Sequence, residues 1–372
     1  MKNIIIVNSA KKIDQSFFDL FADLEKEKYF SAWVTDSDFL VPARPDAEIK
    51  RKYFGPETEN FIGVLAFIFL LPALWLGYFF SLASWRQREN TAKIVCVADR
   101  EKVIFTPLAI ILRLGIVWLE MPGGNQRQFR KLRRLFSRSV ELITFTPTDA
   151  ENLARDGFNK ERIHNISLGV NLQSADRQDN LFSSLAKADK PYSFYKNFTI
   201  GAWCGSGDRR RLEILLQSAR SCVNLIPNFR LVVIGQDTSS GNLNWLIKKL
   251  GLERRVWLVG EQKNLLQWFD DLDLYIVLAE NPGLIDLERA LMAASRGLPL
   301  LGFPSENLID IIIKDQNGFI CQNDSAAALA QEIIALESDE RQRKILGANG
   351  RKLVYANFDR QKQLQRLKEI IA

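Results

Sequence analysis

The stretch LDLYIVLAENPGLIDLERALMAASRGLPLLGF, Leu272–Phe303, holds one complete structural unit. Leu272–Leu278 is an uninterrupted apolar run of strand length apart from Asp273, and Glu280-Asn281-Pro282-Gly283 is a turn. A helix begins near Leu284–Asp286, with helical spacing through Leu287–Arg296, and Leu298–Gly302 is a second apolar run. Strands joined by a helix lie parallel in one sheet, and apolar strands of this kind are covered on both faces.

The same alternation extends over most of the 372 residues. Further candidate strands are Asn3–Val7, Lys93–Ala98, Ile116–Leu119, Leu142–Phe145, Arg162–Ser167, Phe198–Trp203, Arg230–Gly235 and Val256–Val259. Helical segments include Arg209–Leu225, Asn242–Leu250 and Ser325–Ser338. The pattern pauses over Leu172–Lys196, rich in Ser, Asp, Asn and Lys, which is read as a linker. The expected organisation is a Rossmann-like domain over 1–180 and a second over 195–355. A last helical stretch, 356–372, is expected to pack back on the first domain. A chain of this length suits two domains, and two parallel sheets whose strand ends face each other make a central cleft.

Composition narrows the chemistry. The apolar share is 47% and the net charge +6, which suits anionic partners. Cys96, Cys204, Cys222 and Cys321 stand singly, as reduced core thiols would. His164 is the sole histidine, which argues against a His-ligated metal site or a His-dependent triad. It lies inside a candidate strand and is read as packing. The opening MKNIIIVNSAKK is too short in its apolar run for a signal peptide. The basic residues lack interleaved aromatic sheet motifs, so no nucleic-acid partner is expected.

Glu280 stands before the helix start and Glu288 about one turn inside it. A helix start offers unpaired N–H groups and a positive dipole, which suit a diphosphate. Carboxylates accept hydrogen bonds from hydroxyls. A nucleotide-diphosphate sugar has that layout: sugar hydroxyls, diphosphate, ribose hydroxyls. A plain strand-turn-helix with solvated glutamates is the competing reading.

The segment resembles the family 4 retaining glycosyltransferases of the GT-B fold, marked by Glu-x7-Glu, an alanine-rich helix and Gly-hydrophobic-Pro. Here these are Glu280 and Glu288, Ala290-Leu-Met-Ala-Ala, and Gly297-Leu298-Pro299. Leu231-Val-Val-Ile-Gly235, Val256-Trp-Leu-Val-Gly260, Asn317-Gly318-Phe319, Thr144-Phe-Thr-Pro-Thr148 and Asn165-Ile-Ser-Leu-Gly169 extend the likeness over about 93–372. The resemblance implies a hexosyltransferase-like enzyme whose C-terminal domain binds a nucleotide sugar and whose N-terminal domain binds the acceptor. It places Glu280 on the donor sugar and Glu288 on the ribose. Gly283 and Leu284 would offer backbone N–H groups, and Gly260 with Glu261 would lie against the base.

The chain also departs from that family. The family's Gly-Arg-Leu…Lys-Gly clamp reads Ile200-Gly-Ala-Trp-Cys-Gly-Ser-Gly-Asp-Arg209-Arg210-Arg211, with Ala202 at the usual Arg. Arg211 falls at the Lys position, so Arg210 and Arg211 are the candidate diphosphate cations, with Gly205 and Ser206 as backbone donors. A solvated basic helix start is the plain alternative. The glycine-rich acceptor loop is replaced by Asn8-Ser9-Ala10. Asp99 and Glu120, at candidate strand ends, are the acceptor-side candidates. No metal and no cofactor are expected.

Phe61–Trp85 runs 25 residues without a charge, with Pro72 near its middle. About 20 such residues span a bilayer. Three readings stand: a kinked helix or re-entrant hairpin dipping into one leaflet, burial against the sheet or a partner chain, and a full span. Lys50-Arg51-Lys52, Arg86, Arg88 and the basic amphipathic stretch Arg127–Arg138 favour an anionic membrane surface. The acceptor is then a lipid-linked species or glycan at the cytoplasmic face, with the protein peripheral or monotopic there. The alternative from another class is a non-catalytic, membrane-associated sugar-nucleotide or glycolipid binding protein.

Overall fold

A computed structural model describes residues 3–10, 15–26, 32–36, 48–58, 60–88, 91–122, 129–171, 197–205, 207–235, 241–262 and 264–371. They form two compact units, Met1–Leu168 with Gln361–Ala372, and Gly169–Arg360. The linker read at 172–196 lies outside the described residues.

The first unit contains β1 (Asn3–Asn8), α1 (Gln15–Lys26), β2 (Ala32–Thr35), β3 (Glu48–Arg51), α2 (Phe61–Arg88), β4 (Thr91–Cys96), α3 (Asp99–Ile111), β5 (Gly115–Glu120), α4 (Arg130–Leu135), β6 (Glu141–Thr144), α5 (Pro147–Arg155) and β7 (Ile163–Asn165). The strands pair in parallel in the order β3-β2-β1-β4-β5-β6-β7. Ile4–Val7 of β1 are 0–4% exposed, as strands covered on both faces require. β2 and β3 have no counterpart among the expected strands. β2, Ala32-Trp-Val-Thr35, is buried but only four residues long, and β3 is the charged edge Glu48-Ile-Lys-Arg51, so neither offers a long apolar run.

The uncharged stretch is one helix, α2, of 28 residues with Pro72 inside it. The re-entrant hairpin is therefore not what forms. Proline removes one helical hydrogen bond, and at least ten helical residues on each side propagate without it. One stripe, Phe67, Leu71, Tyr78, Leu82 and Trp85, is buried in the core with Phe54, Phe105 and Leu108. Among the described residues, nothing covers the opposite face. Phe61, Ile62, Leu65, Ile68, Phe69, Leu76 and Phe80 are 51–85% exposed.

The second unit contains β8 (Phe198–Cys204), α6 (Arg209–Leu225), β9 (Phe229–Gly235), α7 (Gly241–Lys249), β10 (Val256–Leu258), α8 (Leu265–Phe269), β11 (Leu274–Val277), α9 (Leu284–Ser295), β12 (Leu300–Gly302), β13 (Gly318–Ile320), α10 (Ala326–Ser338) and α11 (Glu340–Asn357). α12 (Arg360–Ile371) follows, and Lys93 Nζ donates to the Ile370 carbonyl at 2.9 Å within the first unit. The sheet is parallel, in the order β10-β9-β8-β11-β12-β13. Leu212, Leu216, Leu329 and Ile333 cover one face, and Leu287, Ala290, Leu291 and Val354 the other. At Gly318 a Cβ would lie 2.0 Å from the Leu300 carbonyl oxygen, so only glycine lets β13 pair there.

Strand order reverses between β8 and β11. Their carboxyl ends mark the switch point where open parallel sheets receive ligands. The four cysteines are buried free thiols.

Candidate functional site

The loop after β8, the loop after β11 and the starts of α6 and α9 meet at this switch point. Val277 of β11 pairs with Trp203 of β8, so Glu280, three residues on, emerges beside the Gly205–Asp208 loop. Glu280 lies 3.5 Å from Arg210 Nη1, with side chains 56% and 62% exposed. Arg210 also reaches Asp324 at 3.4 Å. These exposed charges keep the freedom to meet a ligand.

Arg211, the second candidate diphosphate cation, sits differently. It is buried, and its Nε and Nη2 donate to both oxygens of Asp324 at 3.1–3.2 Å. Nη2 also donates to the Pro304 carbonyl at 3.0 Å, and Nη1 to the carbonyls of Leu278 and Ala279. All five donors of the fork have acceptors. Arg211 ties the end of β11 to the loops after β12 and β13.

Glu288 is 18% exposed and lies 3.6 Å from Arg360 Nη1. Arg360 is fixed by a chain crossing: Val170 N–H donates to Phe358 O at 2.8 Å and Arg360 N–H to Val170 O at 3.2 Å. The two glutamates of the motif therefore differ. Glu280 is exposed on a loop, and Glu288 is held on the helix by a cation.

The Gly283 N–H, a candidate donor to phosphate or sugar, donates to Asp286 Oδ2 at 3.0 Å. Gly283 has φ −84°, which any residue can adopt. Leu284 is buried, and its side chain belongs to the core. The Gly205 N–H likewise donates to Asp208 Oδ2 at 2.8 Å. Burial pushes the Asp208 carboxyl up, against the Gly205 hydrogen bond and Arg211, and nearby Glu280 adds to the rise. Ser206 lies outside the described residues. Gly260 turns the chain after β10 at φ +66°, where a Cβ would meet nothing; Glu261 after it is exposed.

The acceptor-side candidates, Asp99 and Glu120, are brought together by two cations. Glu120 is buried and bonds Arg133, and Lys102 at 3.1 Å. Asp99 lies 3.0 Å from Arg133 and 3.7 Å from Lys102. Burial raises the Glu120 pKa, but Arg133 and Lys102 outweigh it and hold the carboxyl below its ordinary value. Two acids and two bases thus neutralise each other inside the unit. Asp99 keeps a 20% exposed side chain, and burial raises its pKa. His164 bonds Glu141 at 2.8 Å, as does Arg162 at 2.6 Å.

Sequence reasoning missed Asp324, Arg360, Asp286 and Glu101. Asp286, three residues after Gly283, has the spacing of a capping box and was findable. Asp324 and Arg360 come from 113 and 72 residues away and left no local signal. Glu101 sits at the other switch point, between β1 and β4. It accepts from the N–H groups of Ser9 at 3.3 Å and Val97 at 3.2 Å, from Ala98 N–H and from the Ser9 hydroxyl.

Solved structures settle the architecture. A glycosyltransferase from Rickettsia africae ESF-5 superposes with TM-score 0.78, covering 100% of this chain and 97% of that one at 13% identity. Anabaena Alr3699/HepE in complex with UDP gives 0.76, covering 99% and 98% at 16% identity. The fold is GT-B. Within this GT-B chain, residues 207–353 match the family model described as glycosyl transferases group 1. That stretch includes Arg210, Glu280 and Glu288. A relative in sequence is the N-acetyl-alpha-D-glucosaminyl L-malate synthase of Bacillus anthracis, 26% identical over 155 residues. That alignment spans 41% of this chain and 39% of the relative.

Proposed function

We propose that the protein is a retaining glycosyltransferase of the family 4 type. It moves a hexose from a nucleotide-diphosphate sugar to a lipid-linked or glycan acceptor. The observation that carries this is the exposed Glu280–Arg210 pair, 3.5 Å apart at the switch point of a GT-B sheet, inside the segment that matches glycosyl transferases group 1. Glu280 orients the donor sugar by accepting hydroxyl hydrogen bonds, and Glu288 takes the ribose. The bond from the anomeric carbon to the diphosphate oxygen breaks, and the acceptor oxygen bonds to the same face. The acceptor proton passes to the departing phosphate oxygen, so no protein base is required. Arg210 stabilises the charge that develops on the leaving group. The reading needs no metal and no cofactor.

The test is a thermal-shift panel of sugar nucleotides followed by transfer assays in EDTA. A donor that stabilises the fold should be consumed by the wild type. Glu280→Ala should bind it without transfer. No stabilisation by any donor would end the reading.

The same reading places the protein at the cytoplasmic membrane surface. α2, about 42 Å long, is long and apolar enough to cross a membrane. Its buried stripe, from Phe67 to Trp85, fastens it along its length to the first unit. A helix held this way lies in the interface with its free face in one leaflet. Lys50, stacked over Trp85 at 5.1 Å, and Arg86, bonded to Leu112 O at 2.6 Å, supply positive charge at its end.

A further inference from the structure

Arg289 follows Glu288 on α9 and is 8% exposed. Its guanidinium carbon lies 2.9 Å from the centroid of the Trp203 ring. Arg289 Nη1 is buried with no hydrogen-bond partner among the described residues, and so is Trp203 Nε1. Two adjacent donors, one cationic, are thus withdrawn from water with no acceptor among the described residues. Such a group is unfavourable to the fold and is kept for a reason. Burial pulls the Arg289 pKa below its ordinary value, although Tyr275, Asp286, Glu288 and Glu261 act in the other direction.

The pair occupies a defined place. Trp203 lies at the carboxyl end of β8, opposite Val277 and three residues from the turn that carries Glu280. The position a Cβ would take on Gly205 is 3.7 Å from Trp203 Nε1. The indole N–H therefore abuts the loop leading into α6, on the strand end where ligands of parallel sheets bind. Arg211, by contrast, has every donor occupied.

We propose that Arg289, seated on Trp203, is the buried cation that receives the diphosphate of the donor, with the Trp203 indole N–H as a second donor. This rests on the nucleotide-sugar reading of the site. An oxyanion at the Gly205 loop satisfies both groups at once. The planar fork of an arginine suits phosphate oxygens better than a point charge does. The exposed Arg210, beside Glu280, then meets the phosphate oxygen that departs from the sugar.

The test compares wild type, Arg289→Gln and Trp203→Phe by calorimetry. The probes are uridine, guanosine and adenosine diphosphates, their nucleosides, and inorganic pyrophosphate. The expected result is a tenfold or greater loss of nucleoside-diphosphate affinity in Arg289→Gln, with nucleoside affinity unchanged. Trp203→Phe keeps the aromatic seat and should lose several-fold, so it reports even where Arg289→Gln does not fold. Diphosphate affinity within twofold of wild type in both variants overturns the proposal and leaves the glycosyltransferase reading standing. Wild-type binding of pyrophosphate alone, lost in the variants, supports the anion site and removes the nucleotide-sugar reading. No wild-type binding of any probe overturns both.

Discussion

Arg211 and Asp324 form a two-pronged ion pair, Nε to Oδ2 at 3.2 Å and Nη2 to Oδ1 at 3.1 Å, although 113 residues separate them. It joins the loop that follows β13 to the first turn of α6. Removing one partner leaves a buried charge and several carbonyls without donors. Arg211→Met is therefore expected to lower folding stability by about 3 kcal/mol, read from denaturant midpoints. Arg210→Ala, at an exposed pair, should shift stability by less than about 1 kcal/mol while transfer falls. Equal stability losses in the two variants would contradict the division of roles.

Glu280 is exposed and Glu288 is enclosed beside Arg360. Glu280→Gln should leave the melting temperature in place and reduce the transfer rate by about two orders of magnitude. Glu288→Gln should lower both stability, by about 1 kcal/mol, and nucleotide affinity, since it breaks the bond that steadies α9. Steady-state kinetics and melting curves on the same preparations check both.

Burial pushes the Glu101 carboxyl up to about 7, against the hydrogen bonds from Ser9 and Ala98. The folded state then holds this proton more tightly than the unfolded chain between about pH 4.5 and 7. Stability from this group is full below that window and declines as pH rises through it, by on the order of 3 kcal/mol, then levels off. Glu101→Gln should flatten that part of the stability–pH curve relative to wild type. An unchanged slope would show that Glu101 does not titrate there.

The uncovered face of α2 predicts membrane binding separable from folding. Phe69→Asp with Phe80→Asp, 85% and 66% exposed, should abolish flotation with vesicles containing anionic lipid and leave the melting temperature nearly unchanged. Phe67→Ala, in the buried stripe, should instead lower stability by about 3 kcal/mol. Flotation unaffected by the double substitution would remove the membrane from the account.

Much of the fold was legible because buried parallel strands and their crossover helices leave long local patterns. Arg209–Leu225 as a helix coincides with α6, and Phe198–Trp203 falls within β8. The charged edge β3 hid because an edge strand need not be apolar. At the site, the spacing of Glu280 and Glu288 was readable, but whether each acid is exposed was not. The two readings of Arg210 and Arg211 look identical in sequence. Adjacent helix residues point about 100° apart, so one faces solvent and its neighbour the interior.

The amino-acid order by itself determined two parallel α/β sheets and the turn that carries Glu280, because periodicity and turn chemistry are local. Only the tertiary structure decided which charges are left over for a ligand. That depends on partners such as Asp324, Arg360 and Trp203, which folding brings in from 72 to 113 residues away. A buried charge is fixed by whatever surrounds it in space, and no stretch of chain states what that will be.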